Sequence, residues 1–337
     1  MKTIIRWNLT NKCRLNCLHC YNKKYRESFS DVALRDKITI VNKLPPKNVL
    51  IKLSGGEPFD DPSLLDVCNK LDQREIEFGL TTNGNFDMEK YCALFELASL
   101  KFLTFSLDGI NEEQMVLRKG GDVLEKARKN ILNLRKHYPS IRIAINMLLT
   151  KRNYLILNNI LNTYFNKWEV DKVCISELQP TNILAKNLKC NKNEISFALQ
   201  QVKEFKNPKR NKIYNIELDI ECSKKFKGLI CEEINLDYYC GAGRNMSFID
   251  SSGYLLPCES IIWWKWYSTY IDSRYNLLKN DYWDILDLPM FHYAYHYNLD
   301  FREGNVNKYS DCYYCSFKKK CARCPFYDNK RKSNTLL

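Results

Sequence analysis

The segment NKCRLNCLHCYN at residues 11–22 sets Cys13, Cys17 and Cys20 four and three positions apart. Cysteine zinc sites usually come as pairs two residues apart, repeated until four ligands close a tetrahedron. Here three thiols share one loop with no fourth nearby. Three thiolates on a four-iron cluster would leave one iron without a protein ligand, open to an exogenous group. The preceding run TIIRWNLT is apolar and β-prone and reads as a strand ending at Thr10, which would place the thiols just beyond a strand's carboxyl end.

The rest of the chain must supply the frame for that loop. Its 337 residues suffice for one large domain and a smaller one. No run of about 18 apolar residues is present, so no membrane span is expected. No apolar segment leads to a small-residue cleavage site at the N-terminus, and a cytoplasmic location is expected. Fifteen cysteines without an export signal point to metal or redox chemistry rather than a disulfide framework. The net charge of +13 fits either an acidic partner, peptide or nucleic acid, or compositional drift, since the positive residues are scattered. Drift is the stronger reading, and nucleic acid the weaker partner.

Strand-like runs at 4–9, 49–53, 76–81, 101–107, 141–148 and 171–178 alternate with helix-period segments at 31–44, 62–72, 87–98, 122–137 and 153–165, with another at 191–206. In DVALRDKITIVNKL, Leu34, Ile38 and Val41 fall on one helical face. Six βα repeats predict an α/β fold with a parallel sheet and right-handed crossovers. Six are too few to close an eight-stranded barrel, so a partial (β/α)6 barrel resembling a TIM barrel is expected, with function at the strands' carboxyl ends. The cysteine loop, SGGEPFDDP, TTNGN and SLDG fall at four such ends. The rhythm breaks near residue 206, giving an expected barrel over 1–206 and a smaller cysteine-rich domain over 207–337.

At this point the sequence resembles the radical S-adenosylmethionine (radical SAM) superfamily. Cys13, Cys17 and Cys20 fit its three-cysteine pattern, and His19 fits the aromatic position before the last cysteine. Gly55, Gly56, Glu57 and Pro58 fit the glycine-rich stretch that meets the methionine amino group. The resemblance implies bound S-adenosylmethionine and a [4Fe-4S] cluster on the three cysteines. It further implies cofactor contacts from Ser106 and Asp108 in SLDG, from Arg118, and from Asn146 in INMLL. The alternatives are a plain strand-ending turn for SLDG and a solvated helix residue for Arg118.

Cys240, Gly253 and Cys258, followed by CYYCSFKKKCARC, look like the SPASM extension of that superfamily, which carries auxiliary iron–sulfur clusters. The likeness departs in the last gap and in lacking a cysteine after Cys324. By the family's interleaved pattern Cys240, Cys258, Cys324 and Cys231 would share one cluster. Cys312, Cys315 and Cys321 would hold the other, with Cys222, a carboxylate or nothing as its fourth ligand, Cys222 reading equally as a plain buried thiol. One or two auxiliary [4Fe-4S] clusters are thus implied, against structural zinc as the rival. Cys68, Cys92, Cys174 and Cys190 read as packing residues.

The SPASM likeness implies a peptide or protein substrate, often a ribosomally made peptide that is crosslinked, oxidised or epimerised. The basic charge would suit an acidic leader. Recognition of a leader would fall to the C-terminal half or to a separate protein, and an external electron donor of flavodoxin or ferredoxin type would feed the cluster. Glu259 stands where sulfatase-maturing members place a proton-accepting acid, which makes it the catalytic candidate for the alternative reading, oxidation of a protein Cys or Ser. It also reads as a solvated loop residue. A reading from another class is a basic, zinc-stapled binding protein.

Overall fold

The computed structural model describes residues 2–20, 22–26, 29–112, 115–118, 122–178, 183–205, 215–219, 241–263 and 271–295. Its centre is one sheet of nine strands: β1 Thr3–Thr10, β2 Val49–Gly55, β3 Glu77–Thr82, β4 Leu100–Ser106, β5 Arg142–Leu149, β6 Lys172–Glu177, β7 Asn215–Asp219, β8 Met246–Ile249 and β9 Leu255–Leu256. They lie in the order β7-β6-β5-β4-β3-β2-β1-β8-β9. The first eight are mutually parallel, and only the β8–β9 pair is antiparallel. This is the expected α/β partial barrel, and the six expected strands lie within two residues of their observed bounds. The sheet continues beyond residue 206, because β7 adds to β6 and β8 adds to the free edge of β1.

The two sheet faces differ in chemistry. Ile5, Trp7, Leu9, Ile51, Leu53, Phe78, Leu80, Leu103, Phe105, Ile143 and Ile145 are all fully buried beneath the helices. Side chains alternate across a strand, so the intervening residues face the other way. Burial of each such side chain stabilises by roughly 1.5–3 kcal/mol, and this outer layer is where the fold gains its stability. The helices that cover it are amphipathic, but the buried face of Leu34–Lys43 is rotated from the expected one: Val41 is buried as expected, Ile38 is half-buried, and Leu34, in the first turn, is exposed while Lys37 and Ile40 are buried. Ile40 and Val41 come from Leu34–Lys43, Val67 and Leu71 from Leu64–Gln73, and Ile131 and Leu134 from Val123–His137.

The expected helix at 87–98 is only a 3₁₀ turn, Glu89–Tyr91, and one α-turn, Cys92–Phe95. Asn130 donates to the carbonyls of Gly84 and Phe86 and holds the preceding loop against the next helix, leaving room for little more before β4. The stretch at 153–165 is 3₁₀ over Tyr154–Ile156, α-helical over Leu157–Asn162 and π-helical over Thr163–Lys167. A helix at Ile183–Leu188 was not expected. Cys68 and Cys190 are buried as packing residues, Cys92 is exposed, and Cys174 is half-buried. Cys92 thus departs from its expected role, because its short helix turns it outward.

Past residue 240, Gly253 turns the β8–β9 hairpin at φ +87°, a conformation open to glycine. Asp250 Oδ1 accepts from the amides of Ser252 and Tyr254 and fixes that turn. No helix among the described residues is long and apolar enough to cross a membrane.

Candidate cofactor site

The cysteine loop is tied down from several sides before its thiols come into play. Asp31 accepts from Thr10 Oγ1 at 2.5 Å and from the Asn11 amide at 2.7 Å. Asn11 Nδ2 donates to the Phe29 carbonyl and to Ser251 Oγ. Arg26 donates from Nε to the Asn11 carbonyl at 2.7 Å and from Nη2 to the Cys13 carbonyl at 3.2 Å. Its Nη1 lies 4.0 Å from Cys20 Sγ. Neither Asp31 nor Arg26 stands out in the sequence, since a lone charge in a loop carries no spacing signal.

The GGEP stretch closes on the same loop through its backbone. The amides of Gly56 and Glu57 donate to the Thr10 and Lys12 carbonyls, each at 2.7 Å. A Cβ on Gly56 would sit 2.0 Å from the Lys12 carbonyl oxygen, and one on Gly55, at φ +125°, 2.3 Å from that of Thr10. Both glycines are thus required by close approach of β2 to the residues just before Cys13. Pro58 is buried and opens a 3₁₀ turn whose Asp60 accepts from the Arg14 amide and Nε.

Glu57 is 1% exposed and joins two strand ends. Its carboxyl accepts from Thr82 Oγ1 and the Asn83 amide, both at 2.7 Å, and from the Phe59 amide at 3.3 Å. Burial pushes its pKa up to about 7, while the Asn83 and Thr82 hydrogen bonds pull the other way. Relative to the ordinary value of 4.5, the folded protein then holds a proton that the unfolded chain releases. The stability linked to this group is present below pH 4.5 and is lost as pH rises to about 7. The loss is on the order of 3 kcal/mol for a shift of this size. Glu57→Gln should flatten the fall in melting temperature between pH 5 and 7.5 relative to wild type. Parallel pH profiles would mean that Glu57 is ionised throughout.

The thiols themselves are half-buried. Burial raises Cys13 and pushes Cys17 up to about 11, although the Arg118 guanidinium beside Cys17 opposes the rise. Cys13 and Cys20 both act on Cys17 electrostatically, so the three sulfurs are near neighbours. Cys17 and Cys20 line a cavity of about 180 Å3 bordered by Asn11, Leu15, Lys23 and Arg26. As they stand, no three His, Cys, Asp or Glu side chains among the described residues form a closed metal cage. The donor set is nonetheless that of an iron–sulfur cluster: three soft sulfurs on one loop, with cations at hand to balance thiolate charge.

Asp108 and Arg118 lie alongside. Asp108 is fully buried and accepts from Arg118 Nη2 at 3.0 Å and the Leu148 amide at 3.0 Å, with Arg118 Nε 2.8 Å from its second oxygen. The guanidinium is thus engaged by Asp108 and stands next to Cys17. The His19 ring bonds the Leu117 carbonyl, and burial lowers its pKa to about 4, so it is neutral. Its Nδ1 is buried without a partner among the described residues. Ser106 and Asn146 are register partners on β4 and β5, and Asn146 is exposed on the concave face.

Glu259 opens a 3₁₀ turn after β9 and reaches β1, where Arg6 Nη1 donates to its Oε1 at 2.7 Å. Cys258 is buried in a small apolar cluster with Phe248, Leu256 and Ile261. Cys222, Cys231, Cys240, Cys312, Cys315, Cys321 and Cys324 lie outside the described residues.

Comparison with known proteins adds the following. Residues 7–155 match the profile of the Radical SAM superfamily. A probable GTP 3',8-cyclase of Methanococcus maripaludis is 31% identical over 129 residues, which is 37% of this chain and 43% of that protein. An Fe-coproporphyrin III synthase of Methanosarcina barkeri is 23% identical over 154 residues, 45% of this chain and 38% of that protein. The chain therefore spans less than half the length of these curated relatives. Among solved structures, SuiB of Streptococcus suis bound to S-adenosylmethionine superposes with TM-score 0.74 at 16% identity, over 99% of this chain and 75% of SuiB. Native anSMEcpe with bound AdoMet gives 0.63 at 16% identity, over 94% and 87%. At these identities the likeness is one of fold.

Proposed function

We propose that this chain, whose residues 7–155 match the profile of the Radical SAM superfamily, cleaves S-adenosylmethionine reductively and abstracts hydrogen from a ribosomally made peptide. The observation that carries the first half is the gathering of Cys13, Cys17 and Cys20 on one braced loop at the carboxyl end of β1. When bound there, a four-iron cluster supplies the electron that breaks a sulfonium C–S bond. The chain's own contribution is to hold and to orient. The three thiolates would hold such a cluster, Arg26 steadies the loop, and Glu57 fixes the next two strand ends around it. Ser106 and Asn146 offer polar contacts to the cofactor from the same end of the sheet, with the Asp108–Arg118 pair next to Cys17. The curved sheet beneath keeps bulk water from a reactive intermediate.

The peptide half draws support from likeness along the whole chain to SuiB, which has been solved with its precursor peptide SuiA. The curated relatives named for GTP and coproporphyrin chemistry match less than half of this chain. Such partial matches fit a shared cofactor half and leave the substrate open. One or two auxiliary clusters on the downstream cysteines, an external electron donor, an acidic leader and a separate recognition protein belong to the same proposal. Glu259 is its candidate proton acceptor, already paired with Arg6. That residue also keeps alive the second reading, oxidation of a protein Cys or Ser.

Co-expression with small peptides encoded beside the gene tests the substrate. Mass spectrometry should find a peptide lighter by two hydrogens, or one of unchanged mass and altered chirality. No change in any peptide would remove the peptide assignment. Iron analysis of the reconstituted protein should give about twelve irons per chain for three four-iron clusters. About eight would mean a single auxiliary cluster.

A further inference from the structure

The concave face of the sheet carries a row of uncharged polar groups just below the level of the cofactor site. Asn8 pairs with Ser54 across β1 and β2, and Thr81 pairs with Thr104 across β3 and β4. The Leu53–Leu80 pair sets Ser54 beside Thr81, so Asn8, Ser54, Thr81 and Thr104 stand in one line. Their neighbours along the strands, Trp7, Leu9, Leu53, Leu80, Leu103 and Phe105, are buried beneath the helices, which turns the line to the open side. One step toward the strands' amino ends, Arg6, Lys52, Gly79, Phe102 and Arg142 form the row beneath. There the Phe102 ring covers Gly79, where a Cβ would come within 2.4 Å of it, and gives the line above an apolar floor.

The fold leaves much of this line's hydrogen-bonding capacity unused. Ser54 Oγ lies 3.2 Å from Asn8 Oδ1 and 3.5 Å from the Trp7 carbonyl. Asn8 is 1% exposed, and its Nδ2 is buried without a partner among the described residues. With the amide turned end for end, its carbonyl becomes the unmet group, so one end is orphaned in either orientation. The hydroxyls of Thr81 and Thr104 bond nothing among the described residues either, although Thr104 is only 8% exposed. The threonines nearer the cofactor loop behave differently, since Thr10 donates to Asp31 and Thr82 to Glu57. A polar group withdrawn from water is costly unless a partner meets it. Valine would suit these strand positions as well as threonine without that cost.

We propose that Asn8, Thr81 and Thr104 form a subsite for an amide group of the peptide substrate, held against the sheet beneath the cofactor. This rests on the peptide reading and deepens it by naming the group that is gripped. An amide presents a carbonyl and an N–H side by side, and this line offers donors and acceptors with no charge among its members. A carboxylate or phosphate would bring a charge that no member of the line neutralises. Thr104 stands two residues before Ser106 on β4, about 7 Å at the rise of a strand. An extended peptide covers that depth in about two residues. The amide is therefore expected within about two positions of the residue that is modified, from an Asn or Gln side chain or from the main chain.

The test uses the full chain with its clusters loaded, titrated by calorimetry with acetyl-(Gly-Gln)3-amide, acetyl-(Gly-Ala)3-amide and acetyl-(Gly-Glu)3-amide. The Gln peptide should bind more tightly than the Glu peptide. Thr81→Val/Thr104→Val should weaken it roughly tenfold, as expected for loss of two neutral hydrogen bonds, and Asn8→Ala should weaken it as well. Thr81→Ser/Thr104→Ser should retain most of the binding. The melting temperature of the valine pair should stay level or rise, because no hydrogen bond of the fold is lost, which separates a lost contact from a misfolded variant. Tighter binding of the Gln than of the Ala peptide assigns the amide to a side chain. Equal binding of those two, both weakened by the valine pair, assigns it to the main chain. Unchanged binding of every peptide by the valine pair, or tightest binding of the Glu peptide, would overturn the subsite. If the wild type and the valine pair modify a co-encoded peptide with the same KM, the subsite fails while the peptide reading stands. If the wild type modifies no peptide, the peptide reading fails and the subsite with it.

Discussion

Replacing Cys13, Cys17 and Cys20 together with alanine should abolish formation of deoxyadenosine from S-adenosylmethionine under reducing conditions, while iron bound further along the chain remains. The three residues sit on a loop whose backbone is held by Asp31, Arg26 and the GGEP stretch independently of the thiols. Alanine should therefore remove the ligands without dissolving the loop. The measurement pairs product analysis with iron counting, and a loss of about four irons is expected for one four-iron cluster. Continued deoxyadenosine production by the triple variant would place the chemistry elsewhere. Single variants should each lose nearly as much activity, because ligands to one cluster act as a unit rather than additively.

The second large effect is expected from a single methyl group. Gly56→Ala would put a carbon 2.0 Å from the Lys12 carbonyl oxygen and 2.6 Å from its carbon. Both neighbours are backbone, so neither can rotate away. Either the bonds from Gly56 and Glu57 to Thr10 and Lys12 break, or the segment leading into Cys13 moves. Overpacking of this kind costs about 1–3 kcal/mol, and more where nothing can yield. The expected phenotype is a folded but less stable protein that fails to retain iron at the first loop. Gly79→Ala is the informative control, because its contact is the Phe102 ring, a side chain with freedom to shift. If Gly56→Ala loads iron and cleaves the cofactor as wild type does, the close approach carries no functional weight.

The strands were legible in the sequence because each follows from a period, whereas the face of Leu34–Lys43 was read only in part, Val41 being buried and Leu34 exposed. Ile5, Trp7 and Leu9 alternate with polar residues, and the amphipathic helices repeat at 3.6. The thiols and the glycine pair were legible because chemistry demands those residue types at close spacing. What escaped were contacts with no local signature. Asp31 reaches back 20 residues to Asn11, and Arg6 meets a carboxylate 253 residues away. Strands β8 and β9 are four and two residues long, too short for a periodic signal. Arg6, Lys52 and Arg142 were visible as interruptions of apolar strands. Such interruptions are unusual in parallel sheets buried on both faces and mark a face left open. Only the register brings those three into one row.

The pairing of β8 with β1 bears on how the chain is made. Strand β1 leaves the ribosome about 240 residues before β8. At ordinary translation speeds its outer edge stays bare for roughly 12–50 s. During that interval the edge offers unpaired amides and carbonyls to any passing chain, a recognised route to aggregation. Ser251, which accepts from Asn11, and the Ser251 carbonyl, which receives the Val32 amide, arrive equally late. The cysteine loop therefore acquires its last braces only once residue 251 has been made. Nascent chains arrested before residue 246 should be retained by chaperones and protease-sensitive at residues 11–32. Completion of this loop is thereby set as a late event, one that waits until the first seven strands have been made.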